Sequence, residues 1–483
     1  MRLPFFMQAD DMNIPCDMTK GPVVRQMLSF SLPLIGMHVL QLCYGVADML
    51  IVSRVVGEEG AAVVGNGSMV AFFVASLGMG FGTGGAVLIG GHAARGECSE
   101  QDEAVLTLMW LTVLFSALAS VVSCVLTEPV LSLLGVPGRI LPETLTYTRI
   151  LCSGTVFVFG LHTVCAVLRA LGNAVLPLVL TALSAAVNIL LDIVVVVFLH
   201  KGTAGAAVAT VLSQAAALIP AFWLLRAGNV LPERSFRRFF PSRRSVSVML
   251  SVALPASTQM AVVNLSFLIV TGMLNACGIA VVAATGIGLK INTLAGMPCW
   301  GMGQAVTAMT AQTLAVGDVK RVRHIVRAAF WLNLGITSLI VLIVQASAEV
   351  VMECFLPSSS AAGIGVRYLR LCCSVNSLFY VTMYVLDSFA IGAGHAQFAF
   401  FNAVIEALVI RVLLSWLLAE PFGMGYMGLY VGQALSPLLP AVFGALFYAR
   451  GRWWETCGVV DRHASVGTRV SGRLRTAPAA PRR

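Results

Sequence analysis

Twelve stretches of this sequence are long and apolar enough to cross a bilayer. A spanning helix needs about 20 predominantly apolar residues, and no other feature narrows the choice of fold so far. Inside lipid every backbone N–H and C=O must be satisfied within the protein, which leaves helices and closed barrels. The runs are continuous rather than alternating in polarity, so helices are expected, over residues 28–53, 61–91, 104–126, 147–168, 177–199, 203–225, 247–274, 280–312, 328–347, 366–391, 398–419 and 427–449. Composition agrees: 58% of residues are hydrophobic and 11% charged, against about 25% charged in soluble domains. Pro22, Pro129, Pro137, Pro142, Pro232, Pro241, Pro357 and Pro421 fall in or beside the predicted breaks, where proline belongs. The expected fold is an all-α integral membrane protein with twelve transmembrane helices.

The net charge of +9 would suggest nucleic acid in a soluble chain. Here it reads as topology, because cytosolic loops collect Lys and Arg. With the N-terminus inside, segments 1–25, 92–103, 169–176, 226–246, 317–327, 392–397 and 450–483 hold 23 of the 31 basic residues. Both termini are therefore expected in the cytosol of a multi-pass protein of the cell (inner) membrane, with no nucleic-acid partner. No apolar core precedes a cleavage site near the start, so 1–27 reads as a cytosolic leader and 450–483 as a basic tail near anionic headgroups.

The chain also repeats itself. "VVGEEGAAVVG" (Val55 to Gly65) aligns with "ACGIAVVAATG" (Ala276 to Gly286), 221 residues on. Gly80, Gly82 and Gly96 meet Gly301, Gly303 and Gly317 at the same offset, Pro33 meets Pro255 and Gly172 meets Gly394 at 222, and Gly205 meets Gly428 at 223. Each copy holds six helices, an even number, so both enter the membrane the same way round. The expected organisation is two pseudo-symmetric six-helix lobes, 28–225 and 247–449, joined by the basic linker 226–246. Two bundles rocking about a central site suit alternating access.

A charge at a helix centre costs at least about 2.5–3.5 kcal/mol on insertion scales and so marks a pathway or a partner. Asp48 shares a helix face with Tyr44 and Gln41, and "TALSAAVNILLDIVVVV" aligns Thr181, Ser184, Asn188 and Asp192. Two carboxylates with amide and hydroxyl neighbours in one lobe can hold a proton or a small cation such as Na⁺. In the second lobe Lys290, Asp387, Glu406 and Arg411 read first as internal ion pairing. Asn264 and Gln259 are weaker candidates for a cavity wall, and Lys290 an alternative one.

Catalytic and nucleotide patterns do not occur: there is no G-x-x-x-x-G-K-[ST], H-E-x-x-H or G-x-S-x-G. An enzyme is not expected, nor a cofactor beyond a coupling ion, H⁺ or Na⁺. The twelve cysteines, Cys372 and Cys373 included, read as small buried hydrophobes without metal-ligand spacing. The overlapping G-x-x-x-G spacings in "GMGFGTGG" (Gly78 to Gly85) read as helix packing, and His38 and His162 as packed side chains.

In order and spacing, these motifs resemble the prokaryotic multidrug and toxic compound extrusion (MATE) transporters. "SLPLIGMHVLQLCYGVADMLIVSRVVG" is similar to that family's first helix, with Pro33, an acid fifteen residues on at Asp48, then Arg54 and Gly57. "LRALGNAVLPLVLTALSAAVNILLDIVVVV" resembles its fourth-to-fifth helix junction and the Asn…Asp pair, here Asn188 and Asp192. "GTAGAAVATVLSQ" and "AQTLAVGDVKRVRH" resemble the start of helix six and the end of helix eight. The likeness runs from Pro33 to Trp454.

The resemblance implies a V of two lobes and efflux of organic cations or amphipathic drugs by antiport against protons or sodium. It implies cation coupling at Asp48, Asn188 and Asp192 and helix bending at Pro33. Since one chain holds both lobes, a monomer is expected to function. The junction departs from the family pattern, reading "LRALGN" in the first copy and "AIGAGH" in the second. Helix seven carries no acid and Asp387 falls near a helix end, which favours coupling in the first lobe. The competing reading is a flippase of lipid-linked precursors from the same broad superfamily. Twelve helices and first-lobe acids argue against it, and the loop "GGHAARGECSEQDEA" lacks the pattern of a major facilitator.

Overall fold

The computed structural model describes residues 17–228, 230–231, 240–355, 359–451 and 453. The leader up to residue 16, most of the linker and nearly all of the tail lie outside them. The described chain is helical: α1 (Val23–Val56), α2 (Glu58–Arg95), α3 (Cys98–Leu133), α4 (Leu141–Ser153), α5 (Thr155–Ala170), α6 (Val175–Asp192), α7 (Gly202–Ala227), α8 (Arg243–Asn275), α9 (Ile279–Ala315), α10 (Val319–Phe355), α11 (Ser359–Cys372), α12 (Val375–Gly392), α13 (Ala396–Val404), α14 (Ser415–Ala419), α15 (Tyr426–Leu435) and α16 (Leu438–Arg450). π-helical segments continue α6 (Ile193–Phe198) and join α13 to α14 (Ile405–Leu414). Among the described residues ten helices are long and apolar enough to cross a membrane by themselves, and two bent pairs bring the spans to twelve.

Those pairs are where the sequence reading was too simple. The predicted helix 147–168 is α4 and α5, bent by 45°, and 366–391 is α11 and α12, bent by 46°. The first break falls at Gly154, where a side chain would run into Val211 of α7, so the bend lets α7 press against bare backbone. Helices outside the pairs also outrun their predicted ends. The α3 helix continues through Pro129 to Leu133. Only four residues follow that proline, so losing one intrahelical bond there removes little of the helix.

We call the end where α1 begins the near face and the other end the far face. Each copy of the repeat folds into its own bundle, α1–α7 and α8–α16. Equivalent glycines admit equivalent neighbours. Side chains at Gly67 and Gly288 would strike Tyr147 and Tyr368, and at Gly82 and Gly303 would meet Thr163 and Tyr384. Both tyrosines and both of the latter residues are themselves 221 apart, so the pseudo-symmetry extends to individual contacts.

The bundles meet through α2 against α8 and α1 against α9. In α2 the two G-x-x-x-G ridges serve different partners: Gly78 and Gly82 face α5, at Phe159 and Thr163, while Gly80 and Gly84 face the backbone of α8 at Ala256, Ser257, Val252 and Ala253. Ser257 Oγ donates to Leu77 O at 2.8 Å, and Gly301 of α9 lies on Ile35 of α1. These contacts occupy the near half. Toward the far face, Gly45, Gly65, Gly272 and Gly286 have open space where a side chain would project, and Val46, Leu50 and Val282 are exposed. The bundles close below and part above.

Candidate functional site

A cavity of about 420 Å³ occupies the angle between the bundles. The first lobe supplies most of its wall, including Gln41, Tyr44, Asp48, Tyr147 and Ser184, and α9 closes the other side with Thr293, Met297 and Trp300. Asp48 lies in the far half of α1, fifteen residues past Pro33, and α1 runs unbroken across that proline.

Asp48 belongs to two environments. It lines the cavity, yet it is 8% exposed. Behind it α6 brings Asn188 and Asp192, both buried and one helical turn apart. The carboxyls of Asp48 and Asp192 are close enough to interact electrostatically. Asn188 Nδ2 donates to Thr210 Oγ1 of α7 at 3.4 Å. Asp48 Oδ1, Asn188 Oδ1 and both oxygens of Asp192 are buried and find no hydrogen-bond partner among the described residues. Buried polar atoms are nearly always satisfied. Four oxygens gathered without a donor fit a small hard cation, or a proton shared between the carboxyls.

Sequence reasoning found the acids and the amide but missed other residues of the cavity wall. Tyr147 packs over Gly67 and its hydroxyl sits 3.0 Å from Ser68 Oγ. Neither residue stands out in the sequence, because the pairing joins helices 79 positions apart. Thr210 was invisible for the same reason. Of the other candidates, Gln41, Tyr44 and Ser184 line the cavity. Asn264 donates to Met260 O of its own helix at 2.8 Å, and Lys290 is exposed on α9, one turn beyond Thr293; neither is part of the cavity wall. Arg169, assigned from the sequence to a basic loop, is in the last turn of α5 and lines the cavity floor.

The second lobe holds its charges differently. Arg411 and Glu406 form a buried ion pair inside the π-helical segment, and Arg411 also donates to Ser266 Oγ at 2.8 Å and covers the Phe267 ring at 4.1 Å. Asp387 accepts from Asn402 Nδ2 at 2.7 Å. Internal pairing, the first expectation from the sequence, thus holds for Glu406 and Arg411.

Comparison with known proteins follows the same division. The MatE family model matches twice, over residues 33–194 and 255–417, one match in each copy of the repeat. The probable multidrug resistance protein YpnP of Bacillus subtilis is 26% identical over 447 residues, covering 90% of this chain and 97% of that one. The probable multidrug resistance protein NorM of Thermotoga maritima is 23% identical over 446 residues, covering 89% and 93%. A crystal structure of a MATE protein in the bent conformation superposes with a TM-score of 0.82 at 20% identity, covering 95% and 99%, and so shares the fold. The chain belongs to the MatE family and is a membrane transporter of the multidrug and toxic compound extrusion type.

Proposed function

We propose that this transporter is a secondary antiporter that exports organic cations or amphipathic compounds against an inward flow of protons or sodium ions. The buried oxygen cluster of Asp48, Asn188 and Asp192, opening to the central cavity only through Asp48, carries this reading. A cation or proton taken up there neutralises charge that is costly to bury. It favours whichever arrangement of the first lobe binds it more tightly, and only that difference in affinity drives alternation. Pro33 lies in the half of α1 that contacts α9, so a bend there would pass a change at Asp48 to the closed near half. The near face carries the basic loops and is taken as cytosolic, which makes the cavity open outward. One chain supplies both bundles and the whole cavity, so the unit of transport is taken to be the monomer.

The test is transport by purified protein in liposomes, with a proton or a sodium gradient imposed separately and a fluorescent organic cation offered. One gradient is expected to drive uptake in the wild type, and Asp48→Asn is expected to abolish that response while remaining monodisperse. Equal responses from both proteins would remove Asp48 from coupling. No response from wild type to either gradient would favour the flippase reading.

A further inference from the structure

Arg169 is a charged residue of the cavity that cation export does not use. It lines the floor of the central cavity and also a void of about 20 Å³ beneath it, where Gly90 of α2 and Thr307, Ala308 and Ala311 of α9 close the bundles together. Among the described residues no carboxylate forms an ion pair with it. Its position in the last turn of α5 suits the negative end of that helix, but a structural role at a helix end would let the side chain reach the near-face solvent. Instead it shares the cavity with His38 and His162 and lies within electrostatic reach of both.

The surroundings supply further donors. Gln304 lines the void beside Arg169, and its Nε2 lies 3.3 Å from His38 Nε2 across the lobe boundary. An amide nitrogen only donates, so Gln304 Nε2 donates to His38 Nε2 and keeps one further N–H; His38 thereby orients Gln304, while the guanidinium and the His162 imidazole line the same cavity. Arg411 shows the contrast, since its charge is met inside the fold by Glu406. A guanidinium presents paired N–H groups matched to the oxygens of phosphate or carboxylate.

We propose that Arg169, His162 and Gln304, the last oriented by His38, form a binding site for an anionic group, a phosphate or carboxylate, on an amphipathic compound held in the central cavity. The site rests on the reading of that cavity as the transport path. Asp48 lies ten residues beyond His38 on α1, about 15 Å at helical rise, so the cavity is acidic toward its mouth and basic at its floor. It therefore accepts zwitterionic and anionic amphipaths as well as cations. When the near half parts, the void below Arg169 becomes the entrance, and the same guanidinium meets an anionic group arriving from that side.

The experiment uses the full chain in zwitterionic phosphatidylcholine nanodiscs. Two dansyl-labelled alkyl probes are titrated, identical except for a phosphate monoester or a trimethylammonium head, with empty nanodiscs subtracted. Arg169→Gln is expected to weaken the phosphate probe by about tenfold or more, as loss of a charge-assisted contact does, and to leave the ammonium probe within about twofold. Arg169→Lys, which keeps the charge, is expected to recover part of the loss and controls for folding. Equal weakening of both probes, or no change in either, overturns the proposal. Adding phosphatidylglycerol separates the sources of the anion: Arg169-dependent displacement of the phosphate probe assigns the site to lipid headgroups as well, and no displacement assigns it to smaller amphipaths. If wild type binds the phosphate probe through Arg169 but not the ammonium probe, organic-cation export falls and the anion site stands. If neither probe binds, both readings fall.

Discussion

Glu406 and Arg411 stand five residues apart, a spacing that places two side chains about 140° apart on an α-helix. They pair because the segment Ile405–Leu414 is π-helical, and the wider turn brings residues five apart together. At the offset of 223, Ser415 stands where the first copy has Asp192 and Arg411 where it has Asn188, and at 221 or 222 the place of Asp48 falls to Ile269 or Val270. The second lobe thus carries an internal guanidinium where the first has unpartnered oxygens, a contrast that supports the proposal of coupling in the first. Removing one member of a buried pair leaves the other charge uncompensated, at about 3–5 kcal/mol, whereas replacing both is far milder. Glu406→Gln is expected to lower the thermal stability of the purified protein sharply, and Glu406→Gln with Arg411→Met to recover most of it. Thermal aggregation followed by size-exclusion chromatography reads the difference, and additive losses would mean that the two residues do not act as a pair.

Among the elements, α2 carries the heaviest structural duty, because its two glycine ridges serve the lobe interior and the lobe boundary separately. At Gly84 the opposing atoms are backbone atoms of Val252 and Ala253, which cannot rotate away. Gly84→Val is expected to cost about 1–3 kcal/mol by overpacking and to stop transport by wedging α2 from α8. Gly45→Ala, which meets open space, is expected to transport normally. Liposome uptake by the two variants is the check, and unimpaired Gly84→Val would mean that α2 and α8 separate freely. The glycine spacing was legible in the sequence as packing, but not which ridge met which helix, because G-x-x-x-G fixes a face and not a partner. The same limit governed the site. Asp48, Asn188 and Asp192 announced themselves because ionisable and amide residues are costly in an apolar run. Tyr147, Ser68 and Thr210 are ordinary in such helices and gain meaning only from neighbours remote in sequence. The breaks at Gly154 and Ser374 escaped notice because the apolar character runs straight through them.

At the scale of the molecule, the closed near half is fastened by polar contacts as well as by packing. Gln312 of α9 donates to Ala170 O of α5 at 2.7 Å and accepts from Met18 N at 3.2 Å, tying both lobes to the segment ahead of α1. Arg321 of α10 holds that segment in turn, donating to Met18 O at 3.0 Å, Gly21 O at 2.8 Å and Gln26 Oε1 at 2.7 Å. The proposed alternation would require the Gln312–Ala170 contact to break, because it bridges the two lobes. In the proposed antiport cycle the segment is expected to act as a latch, adding free energy to one of the two openings. Hydrogen bonds made by a charged donor contribute about 1.5–3 kcal/mol each at most, so releasing one residue is enough to shift a balanced equilibrium. Arg321→Ala combined with Gln312→Leu is expected to move the population toward the state open at the near face. Spin labels at Glu100→Cys and Lys320→Cys, both exposed near-face positions on opposite lobes, in a background lacking the other reactive cysteines, report the separation by pulsed electron resonance. A broader distribution reaching longer distances is expected in the double variant. An unchanged distribution would mean that packing of α2 on α8 and of α1 on α9 holds the near half shut without the latch.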